Sequence, residues 1–431
     1  MLAAATLAVF GSLGLARFGY TVVLPSMQAG LGLDNTQAGG LATANLLGYS
    51  ALALLGGALA SRFGPRIVIT GGLLVAAAAM LATGTVQGFA PAAFWRLVTG
   101  MGSGAGNVPA MGLLAAWFGA RRRGLASGVA VAGSSIGLIA LGPSVPRVIA
   151  HVGEDGWRVS WFLFAAVTLG LAVLCYLVLR DTPADIGLQP LGGDTEGARE
   201  PAPRTVASVG TRGGDAADVA VTTGDLTAQA VKTGWGGGLK WGLVYRSPTV
   251  WHLGVVYVAF GFSYIIYMTF FTKHLIQAGG YSPAQAGSLF MTMGWSSLLC
   301  GVIWGGVSDK IGRKWALVIV YLIQATSFAL FYLWAAPTGF LISAVLFGLT
   351  AWSIPAIMAA ACGDALGSRL APAALGFITL FFALGQSAAP TVAGALADRS
   401  GGFGPAFLLA AGVALLGAVL ASFLRTPTRN S

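Results

Sequence analysis

The sequence predicts an all-α membrane protein of twelve transmembrane helices, arranged as two pseudo-symmetric six-helix bundles. Three observations carry that expectation. The first is hydropathy. Of 431 residues 56 % are hydrophobic and 9 % charged, and the mean hydropathy is +0.79, more apolar surface than a soluble domain of this length buries. The second is run length: about twelve stretches reach the roughly 20 apolar residues a helix needs to cross the hydrocarbon. The third is repetition. Gly57-Ala58-Leu59-Ala60-Ser61-Arg62-Phe63-Gly64-Pro65-Arg66 aligns with Gly305-Gly306-Val307-Ser308-Asp309-Lys310-Ile311-Gly312-Arg313-Lys314, 248 positions on. Gly142-Pro143-Ser144-Val145 aligns with Ala389-Pro390-Thr391-Val392, 247 positions on. Duplicated helical halves in a bilayer imply a secondary transporter with its site between the halves.

In chain order the runs fall near 2–28, 37–60, 67–87, 91–117, 124–149 and 158–180, then 248–276, 283–306, 315–335, 337–361, 372–396 and 404–424. The first holds Arg17, Tyr20 and Pro25 and lacks a charged leader and a small-residue cleavage site, so it reads as a retained span. The 64 glycines suit close helix packing in lipid. Cys175, Cys300 and Cys362 have unrelated spacing, which argues against both a disulfide framework and a metal site. No cofactor is expected.

A net charge of +10 raises the question of a nucleic-acid partner, but its placement answers it. With the N-terminus inside, the cytoplasmic loops carry Arg62 and Arg66, Arg121 to Arg123, and Lys310, Arg313 and Lys314. The opposite loops carry Asp34, then Glu154, Asp155 and Arg158, then Asp398 and Arg399. That is the positive-inside bias, so the partner is the lipid bilayer and both termini are expected in the cytoplasm. Nineteen Arg against five Lys suggest a GC-rich bacterium and its inner membrane.

Hydropathy collapses between Arg180 and Ser247. Residues 191–239, rich in Gly, Thr, Ala, Asp and Arg, read as a disordered linker. Lys240-Trp241-Gly242-Leu243-Val244-Tyr245-Arg246 reads as a short interfacial helix or a plain connector. The expected division is therefore an N-terminal bundle at 1–180, a linker at 181–247 and a C-terminal bundle at 248–431.

Six spans, a long middle loop, six spans and the repeated glycine-basic loop together resemble the major facilitator superfamily. In that family the loop is a cytoplasmic latch whose charges pair with neighbouring helix ends. The second copy keeps its acid as Asp309, followed by Lys310, Gly312 and Arg313. The first has Ser61 in the acid's place and Pro65 where a basic residue is usual. The resemblance thus assigns Arg62, Asp309 and Arg313 to gating, with more of the latch in the C-terminal copy. The segment from Trp117 to Gly133 and the segment Arg180-Asp181-Thr182-Pro183-Ala184-Asp185-Ile186-Gly187-Leu188-Gln189-Pro190 resemble monocarboxylate transporters and oxalate/formate-type antiporters. Ala16 to Thr21 also resembles a poorly characterised bacterial branch.

Within the spans the ionisable groups are one-sided. No acid falls near the middle of a span, whereas Arg17 lies past the midpoint of the first. An arginine there costs on the order of 3 kcal/mol unless it has a partner or a wet cavity. An anionic substrate would supply the missing charge, since guanidinium holds a carboxylate in a bidentate fork. The plain alternative is bonding to backbone carbonyls near Pro25. Tyr20, three residues on, shares Arg17's face on an α-helix and is a second candidate donor. In the seventh span Tyr257, Tyr264 and Tyr267 lie on one helical stripe, either as donors to substrate or as a packing seam. The fourth span sets Arg96, Gly100, Ser103 and Asn107 on one face. Asn107 is the deeper and better cavity residue; Arg96 resembles the superfamily's span-4 motif of proton-coupled members, or else snorkels to the surface. The glycines at 100, 102, 104 and 106 belong to helix packing rather than a phosphate loop, because no strand precedes them. His252, near the cytoplasmic end of the seventh span, is a coupling or gating candidate at an entrance, and His274 falls near the outer end of the same span. Asn45 and Tyr49 share a face of the second span, and Trp295, Trp352, Phe381 and Gln386 fall at depths where a cavity could lie.

The expected function is alternating-access transport of a small organic anion, a monocarboxylate first of all, with proton symport, by a chain that works as a monomer. Anion exchange stays open. Efflux of amphipathic cations calls for a membrane carboxylate that the spans lack. A transport-silent sensor acting through the linker is the rival of another class, and nothing in the sequence supports an enzyme.

Overall fold

The computed structural model describes residues 1–191, 242–367 and 370–424. The expected linker lies outside the described residues except for Leu191. Of the segment after it, Gly242–Arg246 forms one short helix. Among the described residues there is no strand, and twelve membrane-length units follow one another. They are α1 (Leu2–Leu31), α2 (Asn35–Phe63), α3 (Pro65–Thr83), α4 (Phe89–Trp117), α5 (Ala120–Val152) and α6 (Gly156–Val178) in the first half. In the second half are α7 (Pro248–Gln277), α8 (Pro283–Ser297 continued by Cys300–Ile311), α9 (Arg313–Leu333), α10 (Pro337–Gly348 continued by Ser353–Leu366), α11 (Ala371–Ser400) and α12 (Gly404–Ser422). Lipid offers no hydrogen-bond partner to a bare backbone, so each crossing satisfies its N–H and C=O groups within its own helix.

The duplication reaches the backbone. Gly64 and Gly312, 248 residues apart, open α3 and α9 with nearly the same dihedrals, φ 84° ψ 142° and φ 86° ψ 150°. A side chain is strained at such φ, which is why both turns keep glycine. Two further left-handed glycine pairs, Gly32 with Gly280 and Gly153 with Gly401, have the same separation. Asp34 and Ser282 obey it too, each opening a capping box with Gln37 or Gln285 and satisfying the first N–H groups of α2 and α8. α8 and α10 break at matching depths: the Cys300 Sγ accepts from the Trp352 backbone N–H at 3.3 Å, and Trp304 Nε1 donates to the Leu349 carbonyl at 2.9 Å.

The halves meet along two repeat-related seams. Gly39 of α2 lies against the Pro390 carbonyl of α11, and Gly287 of α8 against the Gly142 carbonyl of α5. A Cβ at either glycine would lie 2.1 Å from that oxygen, far inside van der Waals contact. Thr43 Oγ1 donates to the Ser387 carbonyl at 2.7 Å on the first seam, and Ser297 Oγ to Ser135 Oγ at 2.8 Å on the second. Beyond them, at the end away from the basic loops, Asp398 accepts from the N–H groups of Asn35 and Thr36 at 3.0 and 2.8 Å. A carboxylate from one half thereby caps the N-terminus of a helix in the other. Lys273 of α7, itself buried, donates there to Gln28 and Asn35. Among the described residues, every hydrogen bond between the halves lies from mid-depth to this end.

At the basic end the ion pairs among the described residues lie in the second half. Arg313 forms ion pairs with Asp309 at 2.6 Å and Asp364 at 3.0 Å. Arg62 has no ion pair among the described residues and lies 5.3 Å from the Phe63 ring. The first half uses the segment after α6 instead: Asp181 accepts from the Arg66 N–H at 2.7 Å and so caps α3. Thr182 and Asp185 then form a capping box; the Thr182 backbone N–H, followed by its hydroxyl, holds the Asp185 carboxyl below the usual range. Trp117 Nε1 donates to the Arg180 carbonyl at 3.0 Å, tying together the two segments that carry the carboxylate-transporter resemblance.

Candidate functional site

α1 is not α-helical throughout. Phe10–Phe18 is wound as a π-helix, with Gly11 and Gly14 letting α5 and α6 close on it. Such wide turns recur at functional sites. Arg17, 8 % exposed, leaves its end facing the second half. Its Nη2 donates to Tyr264 Oη of α7 and, at 2.6 Å, to Gln386 Oε1 of α11. The Tyr264 hydroxyl in turn donates to the same Gln386 oxygen at 3.2 Å. Rings of Phe18, Tyr49 and Tyr264 lie 5.6, 5.3 and 5.9 Å from the guanidinium carbon. Tyr49 of α2 accepts from Asn107 Nδ2 of α4 at 2.9 Å. Arg17 Nε and Asn107 Oδ1 are buried without a partner.

These partners address the donors and not the charge. Hydrogen bonds to a charged group contribute about 1.5–3 kcal/mol each and a desolvated cation–π contact up to about 2 kcal/mol, enough to offset an arginine's insertion cost. All are neutral, so the site keeps an unbalanced positive charge. Among the described residues the ion pairs are those of Arg158 and Arg313, none in this site.

A small cavity of about 20 Å³, room for about one water, adjoins Arg17 between α1, α2, α4 and α7. Arg96 lines it as well, so this arginine does not snorkel to the surface: it is 1 % exposed. Its Nη1 donates to the Ala16 carbonyl at 2.9 Å, and its guanidinium carbon lies 4.8 and 5.0 Å from the Tyr20 and Trp161 rings.

The remaining sequence candidates divide. Tyr264 and Asn107 belong to the Arg17 cluster, with Tyr49, noted in the sequence for the face it shares with Asn45, and Gln386, noted for its depth. Tyr20 does not join it: its hydroxyl donates to the Ala38 carbonyl at 2.7 Å. The i,i+3 rule assumes α-helical winding, and the π segment ends between Arg17 and Tyr20. Tyr257 stacks on Phe382 at 4.8 Å, next to Tyr264 on the same stripe. Tyr267 lies elsewhere, hydrogen-bonded to Ser343 Oγ at 2.7 Å amid Phe271, Phe328, Phe331 and Phe347. Tyr267→Phe is therefore expected to lower stability by about 1 kcal/mol and leave flux within about two-fold, read by thermal melts and uptake side by side. His252 Nε2 donates to the Leu420 carbonyl at 2.9 Å, and His274 is buried among Phe331, Phe340 and Phe407. Trp295 is 59 % exposed, while Trp352 packs on Phe18 at 5.5 Å.

Twelve membrane-length helical units in two repeated halves, with a buried cation where they meet, have the architecture of a membrane transporter. The model of the Major Facilitator Superfamily matches residues 6–282, and the chain belongs to that superfamily. Residues 243–422 match a second model, described as an uncharacterised MFS-type transporter YbfB. The chain is 25 % identical to a probable sulfoacetate transporter, SauU, of Cupriavidus necator, over 95 % of this chain and 89 % of that one. It is 24 % identical to a phosphoglycerate transporter protein of Salmonella typhimurium, over 93 % and 83 %. The crystal structure of a D-xylose–proton symporter superposes with a TM-score of 0.68 at 16 % identity, over 99 % and 98 %, and so shares the fold.

Proposed function

We propose that this chain is a secondary transporter that moves a small organic anion by alternating access, gripping the anion's carboxylate with Arg17 and carrying a proton with it. The observation behind the reading is the buried Arg17 guanidinium, whose partners Tyr264 and Gln386 are neutral. Those two come from the second half, so a ligand that takes over the guanidinium also changes what holds the halves together. That is the differential interaction an alternating-access cycle requires. Tyr49 and Asn107 extend the site on the first half, and the orphaned Asn107 Oδ1 suits a donor on the substrate. Arg96 and His252 remain coupling candidates, and Arg62, Asp309 and Arg313 gating candidates at the cytoplasmic side. With the basic end in the cytoplasm, the closed end faces outward. A single carboxylate, as in a monocarboxylate, is the least a substrate must bring; two relatives are named for anions with two acidic groups.

Exchange of one anion for another is the second reading. It is favoured by the lack of any carboxylate among the hydrogen-bond partners of Arg17, Tyr264, Gln386, Tyr49 and Asn107, which leaves the site no acid of its own to carry a proton. Uptake of radiolabelled lactate, pyruvate, formate, oxalate, sulfoacetate and phosphoglycerate into proteoliposomes separates the two. Symport predicts uptake of one of them stimulated several-fold by acid outside. Exchange predicts uptake only into vesicles preloaded with anion. No flux of any anion sinks both and favours efflux or a sensor.

A further inference from the structure

We infer that Lys273 poises the closure away from the basic loops for reopening. The halves shut over a lysine whose charge is met only by neutral oxygens of the first half, so the closed state holds on condition that those oxygens are in place. The inference concerns the seam and stands apart from the reading of Arg17.

Lysine is seldom fully buried without a paired charge. Lys273 is 1 % exposed, with no carboxylate in ion-pair range among the described residues. Its Nζ donates to Gln28 Oε1 and Asn35 Oδ1, both on the other half, and lies 5.0 Å from the Phe403 ring. Gln28 Nε2 donates to the Leu33 carbonyl at 2.9 Å and to Asn35 Oδ1 at 3.2 Å, which turns the Gln28 oxygen to the lysine. Asp398 reaches the same turn of α2, but it accepts from the N–H groups of Asn35 and Thr36. Asn35 thus stands between the two charges, its backbone to the acid and its side chain to the base.

When the halves part at this end, Gln28 and Asn35 leave with the first half and Lys273 stays with the second, in reach of water. Closing therefore dehydrates a cation and gives it two neutral oxygens in exchange. Burial of this kind is costly, and an apolar side chain of similar volume in the same place is often neutral or stabilising. Removing one acceptor acts the other way, because it leaves an uncompensated buried charge, and only in the closed state. The duplicated fold does not require the arrangement. The repeat partners of Gln28, Asn35, Lys273 and Asp398, 248 positions away, are Ile276, Pro283, Pro25 and Ala150. On the second seam Gly287 meets the Gly142 carbonyl with none of these groups at hand.

The experiment reads the seam by thiol labelling from the side opposite the basic loops. Thr43→Cys is the reporter, in a background lacking Cys175, Cys300 and Cys362. Thr43 lies about two turns along α2 from Asn35, hydrogen-bonded to the Ser387 carbonyl. Gln28→Leu and Asn35→Ala are each expected to speed labelling about 10-fold or more over the parent, the scale of one hydrogen bond to a charged group. Lys273→Met is expected to label no faster than the parent. Combined with Gln28→Leu, it should bring labelling back to within about three-fold of the parent. Labelling of Lys273→Met as fast as that of Gln28→Leu overturns the inference and makes the lysine a plain clasp. Unchanged labelling in both acceptor variants overturns it as well. Should Gln28→Leu not fold, Asn35→Ala, alone and with Lys273→Met, decides by the same signs. Labelling requires no substrate, so the outcome is independent of what Arg17 binds.

Discussion

Arg17→Ala is expected to reduce kcat/KM for anion uptake by about 100-fold or more while leaving the protein as stable as wild type or more so. The magnitude follows from the fork: a bidentate, charge-assisted pair in a site shut off from water contributes about 3 kcal/mol or more, and each 1.4 kcal/mol is a factor of ten. The stability half of the expectation separates a binding residue from a structural one. If Arg17 existed to pin α1 to α7 and α11, its removal would strand the Tyr264 hydroxyl and Gln386 and lower the melting temperature. Those two retain each other, however, through the Tyr264–Gln386 hydrogen bond at 3.2 Å, and deleting a buried cation removes its insertion cost. Arg17→Lys keeps the charge and loses the fork, so an intermediate loss of about 10-fold is expected. Uptake assays and thermal melts on the three proteins check the whole pattern. Wild-type flux in Arg17→Ala would remove Arg17 from the site, and lost flux with a collapsed melting temperature would make its role structural.

The spans were readable from the sequence because the bilayer imposes one length and one composition on every crossing. α8 and α10, which break at mid-depth, still kept apolar runs of full length. The duplication was visible at two places, Gly57 with Gly305 and Gly142 with Ala389, and the backbone adds others that identity could not reveal: Asp34 and Ser282 share a cap without sharing a residue type. The site was legible in part. A charge alone in an apolar run is conspicuous, which makes Arg17 findable, whereas Gln386 and Tyr49 carry no charge and give only a depth and a shared face. Depth does not fix azimuth, so three phenols on one stripe of α7 looked equivalent. Only Tyr264 reaches α1; Tyr267 sits a turn further into the aromatic core of the second half. Tyr20 lines the cavity beside Arg17 but gives its hydrogen bond to Ala38, a placement that a π turn, silent in sequence, brings about, and nearness to a span end does not show that Tyr20 and Trp161 cover Arg96.

Gly39→Leu is expected to abolish transport, by about 100-fold or more, by preventing closure of the end opposite the basic loops. The closed seam places the Pro390 carbonyl where a Cβ would go at residue 39. The obstacle is backbone on both sides, α2 against α11, so no side-chain rotation can relieve it, and overpacking of this kind costs about 1–3 kcal/mol or more. The penalty falls on one conformation only. When the halves part at that end the leucine meets nothing, so the equilibrium moves toward the open state by the full cost, a shift of about 5- to 150-fold or more. The repeat makes the argument testable twice, because Gly287 stands against the Gly142 carbonyl in the same relation; Gly287→Leu should act alike. Gly57, which has open space where its Cβ would be, is the control, and Gly57→Leu should leave flux within about two-fold. State is read directly by thiol labelling of Thr36→Cys in a background lacking Cys175, Cys300 and Cys362. Thr36 lies under Asp398 in the closed seam through a 2.8 Å bond to its backbone N–H. Labelling from the outside should be faster in Gly39→Leu and Gly287→Leu than in the parent or the Gly57 control. If labelling is unchanged and flux persists, the glycine seams are not the surfaces on which the halves close.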